Sequence, residues 1–282
     1  MSVRRFTCGI VVPVRDEVQA LSKTVPALLA AMEGESALVV WVCNGCSDGS
    51  AELIRSLAGS MGDVLEIAAP GKTLALQAGD KRLNAEHVFP RLYLDSDTWL
   101  RPGDVGRLLA PLRAGAADLV AASHAFDYSR SSSLSAELGR CWLALPFARD
   151  AAFLGSVAVS EDGRRRWGDW PRVIADDLFM AGVVPNHRRM MVAEAIATTW
   201  SPPTFSGWVS MRTRWLRGER QIIDKLGMSL PAAPKQRVDL LLRLLAPRTS
   251  IGALAFCVAR LMAVPRSRWE SEVPWMPARR KQ

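Results

Sequence analysis

Two carboxylates stand one residue apart at the end of an apolar run in "RLYLDSDTWL", residues 91 to 100. A strand that delivers Asp95 and Asp97 with only Ser96 between them can offer both to one ion. Hard divalent cations such as Mg2+ or Mn2+ take oxygen ligands, typically one or two carboxylates plus the phosphates of a substrate. The same spacing also occurs in plain solvated loops, so the rest of the chain must decide. A second candidate is "VVWVCNGCSDGSAELI", residues 39 to 54, with Cys43 and Cys46 in a C-x-x-C frame. A thioredoxin-type pair needs its nucleophilic thiol at a helix N-terminus, where the dipole lowers its pKa. Here Ser47, Asp48, Gly49 and Ser50 intervene before a helix expected to start near Ser50. No further Cys or His pair has the spacing to complete a zinc site, so both thiols read as bystanders in a loop with another task.

The elements that position these residues follow from hydrophobic patterning. "CGIVVPV", "ALVVWVC", "VLEIAA", "RLYLD", "DLVAAS", "FLGSVAVS" and "MMVAEAIATTW" read as strands. "SAELIRSLAG", "KTLALQAGDKRLN" and "PGDVGRLLAPLRAG" carry apolar residues at helical spacing with Gly or Pro punctuation. The alternation predicts an α/β domain around a mainly parallel sheet, with ligands at the carboxyl ends of the strands. Three loops then lie in one order: "VVPVRDE", "CNGCSDGS" and "YLDSDTWL".

Composition narrows the partners. Of 282 residues 49% are hydrophobic and 23% charged, enough to bury a sizeable core. The formal charge of +8 is concentrated in the second half, in "GRRRW", "NHRR", "RTRWLRGER" and "PARRKQ". Such a balance suits nucleotide diphosphates or anionic lipid headgroups. No nucleic-acid partner is expected, because no helix-turn-helix, zinc-finger or RNP-like pattern accompanies the charge. Five scattered cysteines fit a reducing cytoplasm, and the short N-terminal apolar run, ending at Pro13 without a small-residue cleavage site, reads as a first strand and not a signal peptide. Cys8, Cys141 and Cys257 sit in apolar stretches and read as core residues. The lone His187 in "PNHRRM" reads as a loop residue.

Residues 1–230 are expected to form the main domain and 231–282 an appended amphipathic helical segment. It consists of "QRVDLLLRLLAP" and "TSIGALAFCVARLMAVP", broken at Pro247. The second contains an uncharged stretch of about ten residues, short of the roughly twenty that a spanning helix needs. It either packs on the core or lies in a membrane interface. The expected location is therefore the cytoplasm, with contact at the inner face of the cytoplasmic membrane left open.

The order of the loops resembles the family 2 glycosyltransferases of GT-A fold, a Rossmann-like nucleotide-diphospho-sugar transferase sandwich. Their pattern runs V-P-x-x-N-E, N-D-G-S-x-D-G-T, G-K-x-x-A-x-N-x-G, D-x-D, a later E-D pair and Q-x-x-R-W. Here those positions read "VPVRDE", "NGCSDGS", "GKTLALQAG", "DSD", "ADDL" and "MRTRW", over about residues 7 to 220. The chain departs from it in Asp16 for Asn, Asn44 among residues where an acidic one often meets the nucleobase, Gln77 for Asn, Asp176 for Glu and Met211 for the Gln of processive synthases. Met211 and the lack of clear spanning helices favour transfer of a single sugar over polymerisation.

The resemblance implies a metal-dependent, inverting transferase that moves one sugar from a nucleotide diphosphate sugar, a UDP-sugar foremost, to an acceptor hydroxyl. The acceptor class stays open among carbohydrate, lipid-linked and small-molecule compounds. Nucleotide-sugar contacts are implied for Pro13, Val14, Arg15, Glu17, Asn44, Asp48, Lys72, Asp95 and Ser96. Arg212, Arg214 and Trp215 would add contacts after "SPPTFSGW", a segment suited to a lid. Asp97 with Asp95 would hold Mn2+ or Mg2+, and Lys72 and the arginines would oppose charge on the leaving diphosphate. Asp177 maps to the general base that takes the acceptor's proton, with Asp176 orienting it. An acidic pair that merely complements a helix N-terminus is the plainer reading. Trp167, Trp170, Trp200, Trp208 and Trp215 either stack on sugar or pack in the core. The rival readings are a sugar nucleotidyltransferase, whose Gly-rich, Arg-containing opening loop is missing, and a degenerate membrane-associated binding protein, disfavoured by the intact Asp95, Asp97 and Asp177.

Overall fold

The computed structural model describes residues 6–145, 148, 155–229, 243 and 249–269. Within these the chain divides into two compact units. The first takes in residues up to Ser123, Phe153–Arg172 and Phe179–Ala197; the second takes in His124–Ala152, Val173–Leu178 and the chain from Thr198 onward. The boundary expected at residue 230 and the segment "QRVDLLLRLLAP", apart from Arg243, lie outside the described residues.

The first unit is built on an eight-stranded sheet. Its strands are β1 (Cys8–Val14), β2 (Ala37–Asn44), β3 (Asp63–Ile67), β4 (Arg91–Leu94), β5 (Thr98–Trp99), β6 (Leu119–Asp127), β7 (Ser156–Val159) and β8 (Arg189–Trp200). They lie in the order β3-β2-β1-β4-β7-β6-β8-β5. β1 pairs in parallel with β2 and β4, and β2 with β3. β7 runs antiparallel to both β4 and β6. The sheet is mainly parallel, with β7 reversed against its two neighbours, and the order reverses at β1 and β4, where such sheets bind ligands. All seven residues of β1 are buried, the signature of a central strand covered on both faces.

Helices α1 (Val18–Ala31), α2 (Ser50–Ala58), α3 (Lys72–Ala85) and α4 (Asp104–Arg113) cross between the strands. The first is absent from the segments read as helical in the sequence, because Pro26 lies inside it and Thr24 interrupts its apolar face. Packing nevertheless buries Leu21, Val25, Leu28 and Ala31, and burial of that face outweighs the loss of one backbone hydrogen bond. The third helix lies close against β1, and Gly79 is the reason: a Cβ there would stand 2.3 Å from Cγ1 of Val11. Only glycine allows that approach, which gives the last position of "GKTLALQAG" a physical meaning.

The second unit is mostly helical. It contains α5 (Ser133–Leu143), α8 (Phe205–Leu226) and α9 (Ser250–Trp269); α6 (Glu161–Arg164) lies in the first unit, and α7 (Asp176–Val183) starts in the second. Ser132 caps α5 and Thr204 caps α8, each accepting from the amide three residues on. "SPPTFSGW" thus ends inside α8, whose Trp208 is buried and donates Nε1–H to the Ser135 carbonyl at 3.1 Å. The last described helix, α9, packs on α5 and α8. It runs for 20 residues, through Arg260 and Pro265. Among the described residues it is the one helix long and apolar enough to cross a membrane, by length and composition alone. Its length exceeds the uncharged stretch read from the sequence because the helix does not stop at either residue.

Candidate active site

The loops after β1, β2 and β4 meet in the first unit through a small set of side chains. Asp16 sits at a φ of +50°, a left-handed backbone that Asn and Asp tolerate best among non-glycine residues. This explains why Asp can stand where the family pattern has Asn. Its Oδ1 accepts from the backbone N–H and hydroxyl of Ser47 at 2.7 and 3.1 Å. Asp48 accepts from the Val18 amide at 3.1 Å and from the Ser50 amide and hydroxyl. The Glu17 amide donates to Ser50 Oγ at 3.0 Å. Asn44 is fully buried: its Nδ2 donates to the Val14 carbonyl at 2.7 Å, and its Oδ1 accepts from the Gly71 amide at 3.0 Å. Expected among the base contacts, Asn44 here ties the end of β1 to the start of α3. Pro13 and Val14 are buried, and Arg15 is half-buried beside them.

Cys43 and Cys46 are free thiols, the first buried and the second half-buried. Cys46 Sγ donates to the Val14 carbonyl at 3.4 Å. A hydrogen bond from the Cys43 thiol to Cys46, with burial next, pushes Cys43 up; the same bond draws Cys46 down against the effect of its burial. Three residues separate Cys46 from Ser50, the first residue of α2, so neither thiol stands at the helix N-terminus. Cys8 and Cys141 are buried, and burial pushes the Cys8 thiol up to about 12.

At the end of β4 the carboxylates gather partners. Lys72 Nζ lies 2.7 Å from Asp95 Oδ1, with the lysine side chain mostly covered. The Asp95 amide donates to the Gly155 carbonyl at 2.8 Å, and its own carbonyl accepts from the Thr98 amide at 3.0 Å. Ser96 is buried, and its carbonyl accepts from Thr24 Oγ1 at 2.8 Å. Asp97 is half-buried and accepts weakly from Thr98 Oγ1 at 3.5 Å. Among the described residues no group of three His, Cys, Asp or Glu side chains could hold a metal by itself. Asp95 and Asp97 are the two carboxylates that this strand end itself supplies.

Several residues that position this site escaped the sequence reading. Gly155 has a φ of +63°, and a Cβ on it would stand 2.7 Å from Thr98 Oγ1 and 3.7 Å from Asp95 Oδ2; the only signal was the glycine in "FLGSVAVS". Asp80, fully buried, accepts from Arg91 Nη1 and Tyr93 OH on one oxygen, at 2.8 and 2.9 Å. Its other oxygen accepts from Arg164 Nε and Trp170 Nε1, at 2.9 and 2.7 Å. Burial, with the Asp80 charge next, pushes the Tyr93 phenol up. Gln77 accepts from the Trp170 amide and donates to Asp169, both at 2.8 Å, so the longer side chain that replaces Asn holds the 169–170 turn.

The remaining candidates belong to the second unit. Asp176 is buried, and Asp177 accepts from the Leu178 amide at 2.8 Å at the start of α7. Arg212 Nη1 donates to Glu219 at 3.2 Å, and burial lowers its pKa from the usual value. The Nε atoms of Arg212 and Arg214 are buried with no hydrogen-bond partner. Trp215 packs on Trp142 at a centroid distance of 5.5 Å. Trp200 and Trp208, like Trp167 and Trp170 in the first unit, are buried, so core packing accounts for them. His187, in the first unit, lies in a short 3-10 turn at 186–188.

No curated protein sequence matches the chain. Solved structures do. A mannosyltransferase from Pyrobaculum calidifontis, in complex with GDP-Man and Mn2+, superposes with a TM-score of 0.57 at 17% identity, covering 95% of this chain and 77% of its own. A glucosyl-3-phosphoglycerate synthase from Mycobacterium tuberculosis, in complex with Mn2+, UDP and phosphoglyceric acid, superposes at 0.53 and 15% identity, covering 81% and 80%. At these identities the likeness establishes the fold, the GT-A architecture expected from the loop order. The family model described as glycosyl transferase family 2 matches residues 9–162, more than half of the chain and the stretch that holds β1 to β7. The chain belongs to glycosyl transferase family 2.

Proposed function

We propose that this glycosyltransferase moves a single sugar, with inversion, from a nucleotide diphosphate sugar to an acceptor hydroxyl, with a UDP-sugar as donor. Residues 1–230 are the transferase domain and 231–282 an appended helical segment. The observation that carries the reading is the 2.7 Å pair of Lys72 and Asp95 at the carboxyl end of β4. It joins the first residue of α3 to the first carboxylate of "DSD", and the carboxyl ends of the strands are where a mainly parallel sheet receives its ligand.

Asp95 and Asp97 suit Mn2+ or Mg2+, because two carboxylates leave the remaining oxygen positions to phosphates. Both neighbours named above carry Mn2+, one with GDP-Man and one with UDP. When bound, such an ion would neutralise charge on the leaving diphosphate. Lys72 adds a fixed positive charge beside Asp95, and Arg212 and Arg214 are assigned the same role toward the diphosphate. Pro13, Val14, Arg15, Glu17 and Asp48 form and brace the nucleoside loop, and Asn44 holds it to α3. Asp177 takes the proton of the acceptor hydroxyl, and Asp176 orients it. The acceptor is a carbohydrate, a lipid-linked compound or a small molecule, met in the cytoplasm; a lipid-linked acceptor would be met at the inner face of the membrane.

The test is calorimetry of UDP binding in Mn2+ and in EDTA, on the native chain and on Asp97→Ala. The expected outcome is metal-dependent binding in the native chain that the variant lacks. Equal affinity in EDTA would remove the metal from the mechanism. Hydrolysis of UDP-, GDP- and dTDP-sugars, assayed in parallel, identifies the donor.

A further inference from the structure

Helix α9 is apolar on both sides. One face, with Ala253, Phe256, Ala259 and Ala263, is buried where the helix packs on α5 and α8, and Arg220 of α8 anchors its end through the Ser267 carbonyl and hydroxyl. The other face presents Ile251, Leu254, Val258, Leu261 and Met262, of which Leu261 is 72% and Ile251 64% exposed. Their spacing of three, four, three and one residues makes a continuous stripe along a helix. Five of the nine exposed large hydrophobic residues among those described lie on this stripe. Solvated helices carry polar side chains there, and contiguous exposed apolar patches mark contact surfaces.

Charge selects the occupant. From Ser250 to Trp269 there is no Asp or Glu, while Arg260, Arg266 and Arg268 lie in the same segment of a chain with net charge +8. A second copy would bring together two segments that carry arginine and no carboxylate, which disfavours self-association. An anionic bilayer offers both an apolar interior and opposite charge, the combination that interfacial helices use. The helix is long and apolar enough to span a membrane by length and composition alone, yet less than half of that stretch is buried in the protein, and that part is committed to α5 and α8. We propose that the Ile251–Met262 face of α9 docks the protein in the plane of an anionic membrane surface, with Arg266 beside the stripe meeting the headgroups. This deepens the reading of an acceptor met at a membrane.

The experiment is cosedimentation of the full chain with vesicles, with no donor or acceptor present, so that its failure leaves the transfer reading untouched. Vesicles of phosphatidylglycerol mixed with phosphatidylcholine should bind at least about tenfold more tightly than phosphatidylcholine alone, and high salt should reduce binding. Leu254→Ser with Leu261→Ser should abolish binding while leaving the thermal midpoint and UDP affinity unchanged, since both side chains are exposed. Arg266→Glu should remove the preference for the anionic lipid. Failure to bind anionic vesicles at low salt overturns the proposal, as does undiminished binding by the double Leu variant. A dimer in sedimentation velocity that the same variant dissolves, without vesicle binding, would assign the face to a second copy instead.

Discussion

Asp177 is held by its own helix: Oδ1 takes the Leu178 amide at 2.8 Å, while Asp176 next to it is buried. If Asp177 takes the acceptor's proton, Asp177→Asn keeps size and shape but removes the basic oxygen. Turnover should then fall by about 10²–10⁴ with donor binding intact. Asp176→Asn should cost less, because an orienting residue acts only through its neighbour. Single-turnover rates on both variants decide it. Near-normal turnover in Asp177→Asn beside a dead Asp176→Asn would place the base one residue earlier, and near-normal turnover in both would exclude the pair. Asp16 teaches a different lesson at this scale. Its positive φ makes the family's Asn and this chain's Asp equivalent for backbone reasons, before any ligand is considered.

At the scale of elements, Asp80 decides where Lys72 and Asp95 meet. It sits on α3, which begins at Lys72, and grips Arg91 and Tyr93 of β4, the strand that leads into Asp95. Arg164 and Trp170 bind its second oxygen, so one carboxylate joins three stretches of chain. Asp80→Asn removes the negative partner of Arg91, which is fully buried, and should destabilise the fold by about 3–5 kcal/mol, measured by chemical denaturation. Tyr93→Phe deletes one of the four bonds and should cost only about 1 kcal/mol. A comparable loss in both variants would mean that the charge of Asp80 is unimportant and that the hydrogen bonds alone matter.

For the molecule as a whole, acid sensitivity should trace to Asp118. It accepts from Arg188 at 2.9 and 3.1 Å, from Arg166 at 3.1 Å and from Ser160 at 3.1 Å, joining the starts of β6 and β8 to the segment around α6. The Arg188 hydrogen bond is the largest cause that holds its carboxyl down at about 2. The folded chain therefore binds this proton more weakly than the unfolded chain, whose value is near the ordinary one of about 3.9. The resulting stability, roughly 2 kcal/mol, is present in full above that range and is lost as the pH falls through about 2. Unfolding free energies of the native chain and Asp118→Asn should differ at neutral pH and converge in acid. A constant gap down to pH 2 would assign the loss to packing.

The sequence by itself determined seven of the eight sheet strands, all but the two-residue β5, because fully covered strands such as β1 must be apolar throughout. It also determined the order of the loops, because glycines, carboxylates and a lysine at strand ends have few other uses. Only the tertiary structure decided the rest. The four donors of Asp80 come from residues 91 to 170, and no local spacing announces a contact set by folding. Asn44 looks like a ligand contact in the chain and is a buried clamp in the fold, because an amide serves either role. The exposed stripe of α9 was hidden for a related reason. Periodicity separates apolar from polar faces, and in a helix apolar on both sides only the packing partners reveal which face is covered.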